Sequence, residues 1–419
     1  MTGRFRASSL LTYENSLVLM LGVTFGVVFM DRLAVNYLAP FILPDLRLSA
    51  AQIGLASSAL SVTWALSNIG FGRLSDVLGR RKLLLIATLV VFSLCSFVSG
   101  LATAFGVLIA ARLFMGLAEG PVPPLIMTLM AQSSSKGRLG LNSGLIISGF
   151  MNLFATVLGP VVLIGLAQSF NWRIAFWLAA VPGLIMAVLL ARYVRESPPA
   201  GLAARGTVTP QGFFRILARR NIVLCTLIGC FSLATLMIGT TFASLYLINE
   251  RHIAPTAASL LLAAQGLAGI AAFLVAALSD HVGRKPAVIV FSFLGLLTPF
   301  AMLGYHGPLP GMAVLFFLGG LSQGINAVLF VVIPAETVPL RQLGTVTGFI
   351  PGMGELIGSV FGPAIAGWAA DLTTLAMPFY IMGGCSIASG LLALGLKECV
   401  GVRPPDPLES AAAMAEPAR

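Results

Sequence analysis

Long apolar stretches, each separated from the next by a short polar segment, recur along the whole chain. A helix needs about 20 predominantly apolar residues to cross a bilayer, and cutting the chain at its charged and Pro/Gly-rich breaks leaves twelve stretches of that kind. The pattern therefore predicts an all-α membrane protein with twelve transmembrane helices. The predicted spans lie near residues 17–43, 51–71, 83–101, 104–130, 141–167, 174–194, 221–249, 256–279, 287–304, 311–334, 344–370 and 377–397.

One polar segment is much longer than the others. Residues 195–220 separate the sixth stretch from the seventh and are rich in Arg, Pro and Gly. We therefore predict four parts of the chain. They are an N-terminal six-helix bundle at 1–194, a cytosolic linker at 195–220, a C-terminal six-helix bundle at 221–398 and a cytosolic tail at 399–419.

Composition supports the membrane interpretation. Only 10% of the 419 residues are charged, 58% are hydrophobic and the mean hydropathy is +0.96. So few charges cannot cover the surface of a water-soluble protein of this size. The net charge of +10 comes from short segments between apolar stretches and forms no basic, aromatic groove, so we expect no nucleic-acid partner.

The distribution of Lys and Arg predicts the orientation. Of 25 such residues, three lie in the predicted external loops (Arg47, Arg173 and Arg251) and two within helices (Arg32 and Arg112), whereas the other 20 lie in the remaining segments. Basic residues concentrate on the cytosolic side of membrane proteins. We therefore expect a multi-pass protein of the inner (plasma) membrane with both termini in the cytoplasm.

Several kinds of chemistry are not indicated. The five cysteines include no Cys-x-x-Cys, the three histidines lie near predicted helix ends, and neither a nucleophile–base pair nor a phosphate-binding Gly-x-x-x-x-Gly-Lys-Ser/Thr loop is present. We predict no metal, no cofactor and no direct use of ATP. The chain is not expected to be an enzyme.

A short motif, Asp-x-x-Gly-Arg, follows the second predicted helix and appears again after the eighth. The two copies are 204 positions apart, close to half the chain, which indicates duplicated halves. The motif residues are Gly72, Asp76, Gly79, Arg80 and Arg81 in the first copy and Asp280, Gly283 and Arg284 in the second.

This repeated loop, with twelve spans and a central linker, resembles the signature of the major facilitator superfamily. The resemblance covers essentially the whole chain. It implies two six-helix domains, a central cavity and alternating access. It also implies that the loop residues act in gating, by holding the two domains together on the cytosolic side. Retention of positive charge on the cytosolic side also explains the arginines. The two interpretations are compatible, so we expect gating residues rather than substrate ligands.

Further residues resemble one family within it. An Asp31-Arg32 pair lies in the first helix, Arg112 and Glu119 lie in the fourth with a glycine between them, and a Trp-Arg-x-x-Phe run from Trp172 leads into the sixth. Together they are similar to the anion:cation symporters, which include sugar-acid/proton symporters and sialin-like carriers. Trp64 stands where many members of that family carry Tyr. The Asp-Arg and Arg/Glu pattern also occurs in Spinster-like lipid carriers.

The four charged residues carry the functional hypothesis. An ionised side chain in mid-bilayer costs at least about 2.5–3.5 kcal/mol, so Asp31, Arg32, Arg112 and Glu119 require an explanation. We expect Asp31 and Glu119 to take up the transported proton and Arg32 or Arg112 to bind a substrate carboxylate. The alternative is an inert ion-pair cluster that only fixes helix packing.

Other polar side chains within the spans are candidates for substrate contact. Each alone is also explained by an interhelical hydrogen bond. Glu355 in the eleventh helix could add a polar contact or a second proton site from the C-terminal half, or be a hydrogen-bonded residue in a glycine-broken helix. The candidates are Trp64, Asn68, Asn152, Tyr246, Gln265, Gln323, Asn326 and Glu355.

The leading hypothesis is a monomeric, proton-coupled symporter of a small organic anion, such as a sugar acid or another carboxylate. One alternative is a proton-driven exporter of drugs or lipids, which needs a more apolar cavity with lateral openings. A receptor that binds solute without moving it would keep the same cavity. Counterflow of labelled solute separates carrier from receptor.

Overall fold

The computed structural model describes residues 13–78, 80–135, 138–195, 217–338 and 340–398. Within these ranges the chain forms twelve helical segments and no strand. The segments are α1 Tyr13–Leu46, α2 Ala50–Leu78, α3 Arg81–Gly100, α4 Phe105–Ser133, α5 Leu139–Ser169, α6 Trp172–Tyr193, α7 Arg220–Glu250, α8 Pro255–Ala271 with Phe273–Val282, α9 Arg284–Leu303, α10 Leu309–Thr337, α11 Leu340–Gly354 with Glu355–Ser359 and Val360–Leu372, and α12 Met377–Ala393.

The helices have the length and composition of membrane spans. In the described part of the chain, nine are long and apolar enough to cross a bilayer, and the two parts of α8, bent by 47°, make a tenth. The helices α2 and α12 complete the set. The predicted fold class is confirmed.

Helix ends differ from the predicted spans where polar residues follow an apolar stretch. The second span was predicted to end near residue 71, but α2 continues to Leu78, and the eleventh was predicted to begin near 344, but α11 begins at Leu340. Polar residues mark the point where a helix leaves the hydrocarbon, and they do not stop the helix. The predicted linker falls mostly at 196–216, outside the described residues, so the domain boundaries stay a prediction.

Two of the three large apolar clusters each belong to one half of the molecule. One runs from Leu17 to Val194 within α1–α6 and the segment just after them, and a second runs from Ile222 to Leu396 within α7–α12 and the segment just after them. The third cluster joins the halves, because it contains Ile42 of α1 as well as Phe242 of α7. We call the end of the bundle where α1 leads into α2 the distal end, and the opposite end the proximal end.

Small residues let α2 and α11 approach each other closely at the distal end. A Cβ on Gly54 would lie 2.2 Å from the carbonyl oxygen of Pro363, and one on Gly367 would lie 2.6 Å from that of Ala50. The carboxylate of Asp371 completes this contact by accepting the backbone N–H of Ala50 at 2.9 Å and that of the next residue at 3.1 Å. The N-terminus of α2 is therefore capped by a residue of the other half.

Other helix pairs reinforce this closure. Ser244 donates to the carbonyl of Asn36 at 2.6 Å, and Ser58 donates to that of Val360 at 2.6 Å. A Cβ on Gly266 of α8 would lie 2.3 Å from a backbone oxygen of α5. The hydrogen bonds between described residues of opposite halves all lie at mid-bundle or on its distal side. The two halves are thus closed at the distal end.

This close packing generates a prediction about Gly54. Replacing it by Val inserts a side chain where no space exists, so α2 and α11 must separate distally. We expect Cys substituted for Ser57, in a cysteine-free background, to react faster with a membrane-impermeant maleimide applied from the distal side when Gly54→Val is present. Gly106→Val is the matched control, because a Cβ there meets no atom within 4 Å. Equal labelling rates in the two variants would contradict the packing described.

Candidate functional site

Four charged side chains lie buried near the middle of the N-terminal half. Asp31 and Arg32 belong to α1, Arg112 and Glu119 belong to α4, and none is more than 7% exposed. Because buried charge is costly without compensation, the partners of each group decide what this cluster does.

Two glycines bring α4 against α2 beside this cluster. A Cβ on Gly116 would lie 2.3 Å from the carbonyl oxygen of Leu60, and one on Gly120 would lie 2.5 Å from that of Trp64. Gly116 lies between Arg112 and Glu119 in the sequence. The close helix contact therefore fixes the depth at which both charges of α4 are held.

Asp31 is held by a hydroxyl and lies near a guanidinium. The Ser96 hydroxyl donates to Asp31 Oδ1 at 2.7 Å, and Arg112 Nη1 makes a long contact of 3.4 Å to the Asp31 backbone carbonyl. The Arg112 guanidinium also lies over the ring of Phe176, 5.4 Å from its centroid. Asp31 Oδ2 makes no hydrogen bond within the described part of the chain.

Glu119 and Arg112 have unsatisfied polar atoms. Both carboxylate oxygens of Glu119, and Nε and Nη2 of Arg112, are buried without a hydrogen-bond partner among the described residues. The cationic neighbours of Glu119 are Arg32 and Arg112. Buried donors and acceptors are normally paired, so this part of the cluster has free capacity to bind a polar or charged group.

Arg32, in contrast, is paired with a carboxylate. Its guanidinium forms an ion pair with Glu355 of α11 and lies 4.7 Å from the ring centroid of Trp64 and 5.5 Å from that of Phe29. The second oxygen of Glu355 accepts the Ser359 hydroxyl at 2.6 Å. This pair joins the two halves at mid-bundle.

The space next to the charges is small. A void of about 10 Å³ lies between α1, α2, α4 and α7, and Arg32, Arg112 and Asn36 contribute to its wall. A volume of this size is at the lower limit for one water molecule. Anything larger requires the side chains or the helices to move.

A second, much larger cavity of about 460 Å³ lies between α5, α8 and α10 on the proximal side of the distal closure. It brings together four polar candidates from the sequence, one in the N-terminal half and three in the C-terminal half, and the rest of its wall is mainly apolar. Ser232 donates to Asn326, which donates to Gln323 at 3.1 Å. The four are Asn152, Gln265, Gln323 and Asn326.

The other polar candidates lie elsewhere. Tyr246 is near the distal end with its ring 4.8 Å from that of Phe379, and neither it nor Asn68 lines either cavity. Trp64 and Glu355 contact Arg32. The structure thus separates the candidates into a charged centre and an amide-lined cavity. Whether each contacts substrate stays a prediction.

The repeated loop is described more fully in its second copy. Arg284 pairs with Asp280 and with Glu336 at 2.8 Å, all in the C-terminal half, and Gly283 adopts φ = 102°, a conformation that favours glycine. In the first copy, Arg80 is exposed and Arg81 is buried.

The other motif residues of the first copy, Gly72, Asp76 and Gly79, fall at 69–79, whose side chains lie outside the described residues. In this distally closed arrangement the contacts shown for Arg284 remain within one half. A gating role for the loops stays a prediction.

Three residues near the site were not among the sequence candidates. Ser96, Ser359 and Asp371 each hold a functional or interfacial group in place. Serines are common in transmembrane helices, and nothing in the sequence distinguishes these two from the others. Asp371 follows an apolar span, and the sequence shows only that an acidic residue lies at a helix end.

Comparison with known proteins adds to this geometry. Residues 21–248 and 224–418 each match the family model of the Major Facilitator Superfamily. The chain is 29% identical over 392 residues to a hexuronate transporter of Bacillus subtilis (88% of this chain, 91% of that protein). It is 26% identical to a probable 4-methylmuconolactone transporter of Cupriavidus pinatubonensis (87% and 86%).

A solved structure supports the fold. A bacterial homologue of the human lysosomal transporter Spinster, in an inward-facing and unoccupied conformation, superposes with a TM-score of 0.73 at 16% identity, covering 92% of this chain and 95% of the other. At this identity the likeness concerns the fold alone.

The contact between Ser96 and Asp31 generates a prediction about stability. Ser96→Ala leaves a buried carboxylate oxygen without its donor, and we expect a loss of about 1–3 kcal/mol, seen as a lower melting temperature of the purified protein in detergent. Ser93→Ala is the matched control, because the Ser93 hydroxyl is equally buried on the same helix but makes no hydrogen bond in the described part of the chain. The account is wrong if the two variants melt at the same temperature.

Proposed function

Because this chain belongs to the major facilitator superfamily, we propose that it is a secondary transporter that carries a small organic anion together with protons by alternating access. The family and the relatives are transporters rather than enzymes, and the chain is a multi-pass membrane protein. We further propose an inner-membrane location with the proximal end, and both termini, in the cytoplasm. The relatives named for a hexuronate and a methylmuconolactone support a carboxylate or a related small acid as substrate.

The observation that carries the proposal is the guanidinium of Arg112. It is 1% exposed, yet Nε and Nη2 have no hydrogen-bond partner in the described part of the chain. An arginine presents a planar fork of donors that matches a carboxylate. A small anion between Arg112 and Arg32 would satisfy these donors and neutralise charge in a region from which water is excluded.

Asp31 and Glu119 supply the proposed proton sites. Each lies close to Arg112, whose positive charge favours the ionised carboxylate, whereas burial favours the neutral acid. An anion that binds Arg112 removes part of that positive field. The carboxylates then take up a proton, and substrate and proton are coupled without any covalent step.

The large cavity provides the proposed route to this centre. It lies on the proximal side of the closed distal contacts and brings together Asn152, Gln265, Gln323 and Asn326. These amides offer both donors and acceptors to the uncharged part of a substrate. Release of the distal contacts, with closure by the two Asp-x-x-Gly-Arg loops, would open the centre to the other side.

An exporter of drugs or lipids remains the second candidate, because one observation favours it. The wall of the 460 Å³ cavity is mainly apolar, and exposed apolar residues such as Phe273 and Val331 lie along its edge.

A small anion transporter will accumulate glucuronate in proteoliposomes when the lumen is alkaline. An exporter will instead move an apolar fluorescent dye outward and ignore glucuronate.

The proposed proton sites are tested by neutral replacements. We expect Asp31→Asn and Glu119→Gln each to abolish the dependence of glucuronate accumulation on an imposed proton gradient, because an amide cannot take up the transported proton. Asp45→Asn is the control, because Asp45 lies at the distal end and pairs with Arg173 at 2.5 Å. Unchanged pH dependence in both central variants would rule out the proposed sites.

A further inference from the structure

The ion pair between Arg32 and Glu355 has a position shared by no other pair in the part of the chain that the structure describes. Of the ion pairs formed between two described residues, it alone crosses from one half to the other. Both side chains are buried, with 5% of Arg32 and 11% of Glu355 exposed. It therefore joins the charged centre directly to the C-terminal half.

The aromatic neighbours of Arg32 leave the hydrogen-bond donors of its guanidinium available to a carboxylate. Trp64 and Phe29 cover the guanidinium with their rings, at 4.7 and 5.5 Å from the centroids, so the donors at the edge of the plane provide the remaining contacts. Glu355 occupies that edge, and Ser359 holds its second oxygen at 2.6 Å. The site is already a carboxylate-binding site, filled by a residue of the protein.

We propose that Glu355 stands in for the substrate carboxylate on Arg32, and that the anion binds by displacing it. This inference rests on the proposed function and names the carboxylate that exchanges with the substrate. Two carboxylates cannot both remain ionised beside one buried guanidinium, because their mutual repulsion is strong where water is excluded.

The displaced Glu355 takes up a proton. Leaving a buried carboxylate ionised after its partner is removed is strongly unfavourable, so the neutral acid is the stable form. Before exchange the site holds one guanidinium and one carboxylate of the protein. After it, the site holds the guanidinium, the substrate carboxylate and a neutral Glu355. The charge of the site is unchanged, and one proton enters for each carboxylate bound.

The charged and titratable groups around Glu355 favour this exchange. Arg32 of α1 faces it directly, and α7 contributes Cys230, whose carbonyl lies against Gly358 one turn away. The described side chains of α2, at 50–68, carry no charge. Glu119 of α4 shares Arg32 as a cationic neighbour. Among the described residues, Arg32 is thus the cationic side chain that contacts Glu355 directly.

The exchange also changes the contact between the halves. When Glu355 is paired with Arg32, α1 and α11 are joined directly at mid-bundle, on the proximal side of the contacts of Asp371 with α2. Once a neutral Glu355 releases Arg32, that direct link between the halves is replaced by the substrate. Anion binding is thus coupled both to uptake of a proton and to release of the direct contact between the halves.

The test uses the full-length protein, glucuronate as probe and the variant Glu355→Gln, which imitates the protonated acid. For the wild type, each coupled proton makes the apparent Kd rise up to about tenfold per pH unit at alkaline pH. For Glu355→Gln we expect tighter binding than the wild type at pH 8 and a weaker dependence of Kd on pH, because one proton acceptor is lost while Asp31 and Glu119 remain. In proteoliposomes, we expect the ratio of proton-driven accumulation to counterflow to fall at least about tenfold, equivalent to 1.4 kcal/mol.

Two further variants serve as controls. Asp371→Asn alters another carboxylate contact between the halves, but Asp371 is exposed and its partners are backbone N–H groups, so we expect the pH dependence of the wild type. Glu355→Asp keeps a titratable acid, and we expect it to retain part of the proton-driven accumulation. If Glu355→Gln does not fold, Arg32→Gln tests the same exchange. We then expect weak binding of glucuronate with a Kd that depends less on pH than that of the wild type.

The outcomes separate the two proposals. If the wild type binds and accumulates glucuronate with a pH dependence that Glu355→Gln preserves, the inference about Glu355 is wrong and the proposed function stands. If Glu355→Gln weakens binding equally at every pH, Glu355 contacts the substrate directly and the inference is again wrong. If the folded wild type neither binds nor accumulates glucuronate or other small carboxylates, the proposed function fails and the inference fails with it.

Discussion

Ionised side chains in the middle of a bilayer bundle must find partners within the protein, and this constraint organises the molecule. Arg32 finds Glu355 across the interface between the halves, whereas Arg112 and Glu119 remain incompletely satisfied in the described structure. A fully satisfied cluster would only stabilise packing. The uneven distribution of partners, with one arginine paired to a carboxylate beside one that has unpaired donors among the described residues, is what makes binding of an anion chemically reasonable here.

The small residues of the bundle serve the same centre. Gly116 and Gly120 let α4 approach α2, which holds Arg112 and Glu119 at their depth, and Gly54 lets α2 approach α11, which places Glu355 opposite Arg32. A methyl group at any of these glycines would meet a backbone carbonyl. Without water to solvate separated helices, such close contacts are a main source of association between them. Packing at the distal end and charge at the centre therefore depend on each other.

The sequence predicts the helices and the repeat well, because hydrophobicity and motif spacing are local properties. It also identifies Asp31, Arg32, Arg112 and Glu119 as costly at bilayer depth. The pairing of Arg32 with Glu355 was not predicted, because 323 positions separate them and many pairings of the buried charges satisfy the same composition. The separation of the amide-lined cavity from the charged centre was likewise not predicted, since it depends on how far the helices tilt and bend.

The central claim is that binding of an anion at the arginines transfers a proton to a buried carboxylate of the protein. Calorimetry of glucuronate binding to the purified full-length protein tests it directly, in buffers of equal pH but different ionisation enthalpy. The account predicts net uptake of protons from the buffer on binding at neutral pH, with a measured enthalpy that changes linearly with the ionisation enthalpy of the buffer. Binding with the same enthalpy in every buffer, and hence no proton uptake, would contradict it.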